Sequence, residues 1–300
     1  MKKKITVTIG ISAYNEEKNI DFLLSSLLKQ EQLNWNLHCI KVISDGSTDS
    51  TVIKTMSIKS KYIRVTDDGF QRGKTHRVKE LCASLHSDVL IILDADISLA
   101  NSHVITKLIE QFDLDSHTMV VGGNTRPQRP RTFFQRSVYA TFQVFDISRN
   151  NIKNGNNIFG CNGQCFAIRK SFAKSIKFKN VINEDDFVYF SCLSRGYKFK
   201  YAKEAVVYYK LPLNLKDYLK QSFRSNPDAV IVNFSKYFGP MVKREYRRPL
   251  TLYVYAVLRS FISLPLETIY ISLITLFLKP WYRIISKNYK LSWYTAGSTK

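Results

Sequence analysis

The chain has 300 residues, with 45 lysines and arginines against 24 aspartates and glutamates, and so a formal net charge of +21. That length suffices for one large α/β domain with an appendage or for two small domains, and the charge asks for an anionic partner or surface. It is not gathered in one basic module beside a nucleic-acid motif, and the five scattered cysteines lack the paired spacing of a zinc site, fitting instead thiols in a reducing compartment.

Taken in order, strand and helix patterns alternate through the first half, as βαβ units of a parallel sheet do. Residues 5–11 alternate and run straight into Asn15-Glu16-Glu17, so Lys2 to Lys4 precede a strand and not the apolar core of a signal peptide. Asn15 or Glu16 then opens an amphipathic helix carrying Ile20, Leu23, Leu24, Leu27 and Leu28 at helical spacing. Residues 38–44 form the second strand, 50–57 a helix, 63–65 a short strand, 74–85 a helix and 89–93 the next strand. Beyond Met119-Val-Val-Gly-Gly123 the pattern loosens into a helix over 133–147, a polar loop over 150–157 and, from Leu213, a basic and mainly helical tail.

The run Leu90-Ile-Ile-Leu-Asp94-Ala-Asp96 stops at two carboxylates one residue apart. Side chains at i and i+2 of an extended segment point the same way, so Asp94 and Asp96 converge if the chain stays extended. Hard cations such as Mg²⁺ or Mn²⁺ take one or two carboxylates and leave room for water and substrate phosphates. The carboxyl edge of a parallel sheet is where such a ligand binds. A helix cap followed by a turn residue has the same sequence, and the tripeptide alone leaves both readings open.

Residues 249–278 are the most apolar part of the chain and lie between basic clusters at 236–248 and 279–290. Arg259, Pro265 and Glu267 interrupt them, so neither half reaches the roughly 20 apolar residues of a spanning helix. A kinked single span, a shallow hairpin and two helices lying in the interface remain, beside a buried soluble hairpin. Tyr253, Tyr255, Tyr270, Trp281 and Tyr282 resemble an aromatic belt and favour the membrane.

Further clusters accompany Asp94-Ala-Asp96: Ser12-Ala-Tyr-Asn-Glu-Glu17, Ser44-Asp-Gly-Ser-Thr-Asp49, Gly160-Cys-Asn-Gly-Gln164, Asn183-Glu-Asp-Asp186 ahead of Gly196-Tyr197, and Gln221-Ser-Phe-Arg224. Their order and spacing over roughly residues 5–225 resemble the family 2 glycosyltransferases, inverting enzymes of GT-A fold that use nucleotide-diphosphate sugars. The resemblance implies an α/β, Rossmann-like domain over 1–225, with a mostly parallel central sheet flanked by helices. A basic helical, membrane-associated appendage over 226–300 would follow it.

It also implies roles. Tyr14, Glu16 and Asp45 would grip the base and ribose, Asp45 accepting from a uracil-like edge, although a turn with an Asx cap explains Asp45 and Asp49 equally. Lys74, after Gly73 at a helix start, would meet phosphate. Asp94 and Asp96 would hold Mn²⁺ or Mg²⁺ at the donor diphosphate. Asp185, with Glu184 beside it and Asp186 as understudy, would take the proton of the incoming hydroxyl. Gly163 falls in the acceptor-side loop. Gln221 and Arg224 resemble the Gln-x-x-Arg-Trp element of membrane-bound synthases for cellulose, chitin, hyaluronan and glucosylated lipids, in which the arginine steadies diphosphate. Two departures stand out: Ser225 replaces the tryptophan, and Arg77 and Lys79 replace a small residue and an asparagine.

The expected activity is metal-dependent, inverting transfer of a sugar from a UDP-sugar to a polysaccharide, oligosaccharide or lipid-linked acceptor at the cytoplasmic face of the cell membrane. The missing tryptophan favours one or a few additions, with a processive polysaccharide synthase as the alternative. A non-enzymatic membrane scaffold or a nucleic-acid-binding protein fits the carboxylate set less well. The expected partners are the donor, the glycan or lipid-linked acceptor and an anionic membrane surface, with no nucleic acid.

Overall fold

The computed structural model describes residues 4–179, 181, 183–224 and 226–285. Its elements are β1 (Ile5–Ala13), α1 (Ile20–Leu28), β2 (Trp35–Ser44), α2 (Thr51–Ser57), β3 (Ile63–Asp67), α3 (Lys74–Ala83), β4 (Val89–Asp94), β5 (Ile97–Leu99), α4 (Val104–Asp113), β6 (Thr118–Pro127), α5 (Phe133–Asn151), β7 (Cys165–Arg169), α6 (Lys170–Ser175), α7 (Glu184–Ser194) and β8 (Lys198–Tyr209). Five helices follow: α8 (Leu215–Arg224), α9 (Pro227–Phe238), α10 (Met241–Glu245), α11 (Leu250–Ser263) and α12 (Pro265–Ile285).

Two compact units form, Met1–Arg126 with Gly160–Tyr209, and Pro127–Phe159 with Lys210–Thr299. By contacts, residues 127–159 and 210–224 group with the helical segments that follow them. The chain between β6 and β7 leaves the sheet, because α5 packs along α11 and α12.

In the first unit the described residues build an eight-stranded sheet of order β3-β2-β1-β4-β7-β6-β8-β5. β3, β2, β1 and β4 are parallel neighbours, whereas β7 is antiparallel to β4 and β6, and β5 to β8. Period-two alternation decides which face each residue of β1 serves. Val7, Ile9, Ile11 and Ala13 join a core with Leu23, Leu24 and Leu27 of α1 and Leu108 and Ile109 of α4. On the other face Gly10 lies so close to α3 that an added Cβ would come within 2.7 Å of Leu81. Buried on both faces, the parallel strands read as nearly continuous apolar runs. Truncating Ile9 to alanine at the centre of this layer would cost about 2–5 kcal/mol.

Some element ends differ from expectation for local reasons. α1 begins at Ile20, not at Asn15, because Asn15 adopts φ +54° and is tied by its N–H to Ser47 Oγ and by its side chain to the Thr48 N–H. β2 starts at Trp35, whose indole N–H reaches Thr106 Oγ1 at 3.0 Å inside the core. The expected polar loop over 150–157 begins as the last turn of α5 and continues as short 3₁₀ turns. There the buried Asn157 side chain donates to Arg149 O and accepts from Phe159 N. The five cysteines are free and buried, as the composition suggested.

The second unit is helical. Glu267 of α12 accepts from Arg136 of α5 at 2.7 Å, and Ser260 of α11 donates to Ala140 O at 3.1 Å. Around Phe159, Phe145 and Tyr246 pack edge to face, and the Arg248 guanidinium lies 4.3 Å from the ring centroid. The apolar segment forms two helices, α11 and α12, broken at Leu264. Among the described residues no helix is long and apolar enough to cross a membrane. Ser225 and the side chains of Arg224, Trp281 and Tyr282, with most of the second basic cluster, lie outside the described residues.

Candidate active site

Strand register brings the sequence clusters to one edge. Ala13 stands beside Ser44, and Ser12 beside Asp94, so Tyr14, Asp45 and the Asp94 turn all leave the sheet at the carboxyl ends of β1, β2 and β4. The loops after β1 and β2 then fasten to each other. Asp49 accepts from the Glu17 N–H and caps the Thr51 N–H, while Glu16, buried, donates its N–H to Thr51 Oγ1 at 2.7 Å and accepts from the Asn19 side chain. Asp49 is thus the turn and cap that the sequence allowed, and Tyr14 stays half-buried at the head of this loop.

A charged cluster lies next to it. Lys74, the first residue of α3, donates to Asp94 Oδ1 at 2.6 Å, to Glu184 Oε1 at 2.8 Å and to Gly163 O at 2.9 Å. Asp185 Oδ2 accepts from the Gly163 N–H at 2.6 Å. Segments far apart in sequence therefore place three carboxylates around one ammonium. Gly163 leaves these groups room: a Cβ would sit 2.9 Å from Lys74 Nζ, 3.0 Å from Glu184 Oε1 and 3.3 Å from Asp185 Oδ2 and would make their side-chain ends shift. Burial works against the charge on Lys74, but Asp94, Glu184 and Asp185 outweigh it and hold the amine above its ordinary pKa. Burial raises the proton affinity of Glu184, opposed by Lys74 and reinforced by Asp185. All three acids of the Glu184-Asp185-Asp186 run lie in the first turn of α7, where the helix dipole favours negative charge. Glu184 and Asp186 are buried, Asp186 accepting from Asn183, and Asp185 alone of the three is partly exposed.

β4 ends at Asp94, and Ala95 and Asp96 form a turn into β5, so the extended chain on which the alignment of Asp94 with Asp96 was conditional stops at Asp94. Asp45 is fully buried and committed to protein donors. Its Oδ1 accepts from Arg77 Nε at 2.8 Å and from the Arg72 N–H at 2.9 Å, and its Oδ2 from the Gly73 N–H at 3.0 Å. Both carboxylate oxygens of Asp45 thus accept from protein donors. One of these donors is Arg77, visible in the sequence only as a departure from the family pattern. Its guanidinium, itself buried, also binds Asp68 Oδ1 at 2.7 Å, Glu80 at 3.1 Å and the Phe70 carbonyl. Arg77 so clasps the chain between β3 and α3 onto the end of β2.

Sequence reasoning missed Ser12 and Gln164 as individual residues. Ser12 is the β1 partner of Asp94, and Gln164 accepts the Asp94 N–H through its backbone carbonyl. Among the described residues, Ser12 Oγ and Gln164 Oε1 are buried and make no hydrogen bond. Buried oxygens of that kind call for a partner that the described side chains do not supply. Asp94, Asp96, Ser12 and Gln164 all carry side-chain oxygens, the donor type a hard divalent cation takes. Among the described residues no group of three or more His, Cys, Asp or Glu is placed to hold a metal ion. Gln221 and Arg224 belong to α8 of the second unit.

Comparison with known proteins agrees with this arrangement. The sequence model of glycosyl transferase family 2 matches residues 8–177. A poly-beta-1,6-N-acetyl-D-glucosamine synthase of Staphylococcus aureus (strain COL) is 25% identical over 275 residues, which are 88% of this chain and 64% of that protein. The chain thus spans less than two thirds of the relative's length. The mannosyltransferase PcManGT of Pyrobaculum calidifontis, solved with GDP-Man and Mn²⁺, superposes with a TM-score of 0.62 at 15% identity, covering 95% of this chain and 84% of that one. A glucosyl-3-phosphoglycerate synthase of Mycobacterium tuberculosis, solved with Mn²⁺, UDP and glucosyl-3-phosphoglycerate, superposes at 0.50 and 16% identity, covering 77% and 79%. The likeness to these two structures is one of fold, the GT-A type.

Proposed function

This chain belongs to glycosyl transferase family 2 and is a glycosyltransferase, and we propose that it transfers a sugar, with inversion, from a UDP-sugar to a glycan or lipid-linked acceptor at the cytoplasmic membrane face. The observation that carries the chemistry is the cluster of Asp94, Glu184 and Asp185 around Lys74 at the carboxyl edge of the sheet.

Asp185 is the base. Of the acids at the start of α7 it is the one open to an incoming hydroxyl, and the Gly163 N–H fixes its carboxylate while it takes the proton. Glu184 is buried against Lys74 and positions that ammonium. Lys74 remains charged, and it exchanges part of its contact with Asp94 and Glu184 for the donor diphosphate, whose negative charge grows as the sugar leaves. Asp94 and Asp96, with Ser12 and Gln164 beside them, are the residues that would hold Mn²⁺ or Mg²⁺, whose chemistry there is neutralisation of the leaving diphosphate. Tyr14 and Glu16 line the nucleoside end, and Gln221 and Arg224 serve the acceptor or diphosphate.

Support for a UDP-sugar comes from the UDP complex of the mycobacterial synthase, and support for a divalent cation from the Mn²⁺ in both solved relatives. A screen of UDP-sugars for turnover with Mn²⁺ and with Mg²⁺ tests the reading. Turnover of none, or turnover unaffected by EDTA, overturns the donor or the metal respectively. A processive synthase is the second reading, favoured by the staphylococcal relative. Product length from purified enzyme separates the two, since the absence of tryptophan after Arg224 predicts one or a few additions.

A further inference from the structure

The two-helix element α11–α12 is built inside out. Several of its polar residues face inward, while Thr251, Arg259, Ser263 and Ser272 stay exposed: Ser260 Oγ, almost fully buried, meets Ala140 O at 3.1 Å, Gln143 Oε1 at 3.2 Å and Thr268 Oγ1 at 3.2 Å. Glu267 is held by Arg136. Its large apolar residues face outward. Val254, Leu258 and Ile262 recur every four residues along α11, and Ile269, Leu273 and Leu276 follow at spacings of four and three on α12, each 48–75% exposed. At 100° per residue these are one stripe on each helix, opposite the buried Ala256 and Ser260 in the first and the buried Glu267 and Ile271 in the second. Patches of this kind on a soluble surface mark a site of association.

We propose that this face lies flat in one leaflet of an anionic bilayer, without crossing it. Two observations select that occupant. The segment leading into α11 exposes Lys236, Lys243, Arg244 and Arg247, cationic side chains suited to anionic headgroups, while an exposed partner protein surface of matching apolarity would have no use for them. Tyr253 and Tyr255, also exposed, are amphipathic rings of the sort that settle at headgroup depth. Two facts stand against a span: the 14 residues of α11 extend only about 21 Å, short of the roughly 30 Å hydrocarbon core, and although the 21 residues of α12 reach about 31 Å, no described helix is both long and apolar enough to cross. The polar seam on α5 further ties both helices, along their inner faces, to a helix of the same unit. The inference deepens the membrane-face part of the reading above and is independent of the transfer chemistry.

The test uses the full chain and sedimentation with vesicles of phosphatidylcholine and phosphatidylglycerol in equal parts, against phosphatidylcholine alone, with UDP binding measured on the same preparations. Wild type should bind the mixed vesicles in a salt-sensitive way. The double variant Leu258→Lys, Leu273→Lys should lose about tenfold or more of that binding, since ammonium groups are then forced among acyl chains. Arg244→Glu with Arg247→Glu should weaken binding to the mixed vesicles and leave the neutral ones unchanged. A cysteine placed at Ser263, in the bend, should be unreachable by an impermeant maleimide sealed inside the vesicles. The proposal falls if wild type binds UDP but no vesicles, if the lysine variant binds as wild type, if the lumenal reagent labels the bend, or if the face instead forms a dimer that the lysine variant breaks. Loss of UDP binding by wild type itself would count against the donor reading and leave this one standing.

Discussion

The charged edge of the sheet unit and the outer face of α11–α12 both reverse the usual rule that charges lie outside and large apolar groups inside. In the sheet unit the inversion is compensated within the protein. Lys74 and Arg77 go in, but every charge they meet is of opposite sign, and Gly163 supplies a carbonyl to one and an N–H to the other side of the same cluster. In the helical unit the polar groups are the compensated ones, and the apolar stripe is left facing out. A compensated inversion is preorganised machinery, able to act on a ligand without rearranging first. An uncompensated one is a docking surface whose partner lies outside the fold.

The comparison breaks most sharply at Asp185. If the cluster is machinery, Asp185→Asn should lower kcat by about 10²- to 10⁴-fold, the usual worth of a positioned base, with UDP affinity within about twofold of wild type by calorimetry. Equal losses of both would make Asp185 part of the scaffold. Gly163→Ala comes next. It removes no functional group, yet its methyl would crowd Lys74 Nζ, Glu184 Oε1 and Asp185 Oδ2 at once. A displacement of that order should cost about 10²-fold in kcat, while the melting temperature moves little. If kcat is unchanged, the three groups are not held in a geometry that matters.

Much of the sheet unit was legible because strand alternation and buried apolar runs are local signals: β1, β4 and α3 sit where the pattern put them, and the order of the clusters located the edge. What was not legible arose from contacts between distant segments. Nothing near residue 77 announces that its guanidinium fills the end of β2, since Asp45 and Asp68 reach it from other strands. Likewise α5 looked like one more helix of the sheet domain, and only its packing on α11 and α12 assigns it to the other unit. The extended run stops at Asp94 for a simpler reason, that strand periodicity stops where hydrogen bonding to the neighbouring strands stops. The membrane reading of residues 249–278 rested on composition. Composition could not say which way each side chain turned.

The Arg77 clasp offers the finest test of compensation. Its guanidinium holds Asp45 from inside and Asp68, at the start of the loop to α3, from outside, so its effect on a donor must pass through the loop that ends in Gly73 and Lys74. Arg77→Met leaves Asp45 buried without its cation, a change that costs several kcal/mol of stability where nothing relaxes; it should raise the donor KM by about tenfold and the acceptor KM hardly at all. Asp68→Asn is gentler, because that carboxylate is more than a third exposed. It should raise the donor KM about two- to threefold with kcat unchanged. Hydrogen bonds from Arg77 and Arg72 hold the Asp68 carboxyl well below the ordinary carboxylate range. A folded-state pKa lowered in this way adds stability above the unfolded value and loses it only as pH falls through the folded one, so the clasp is fully formed from about pH 5 upward. Wild-type donor affinity should accordingly show no step between about pH 5 and 8 that Asp68→Asn abolishes. Such a step, or an acceptor KM that moves with the donor KM in both variants, would mean that the clasp stabilises the fold and does not position the donor.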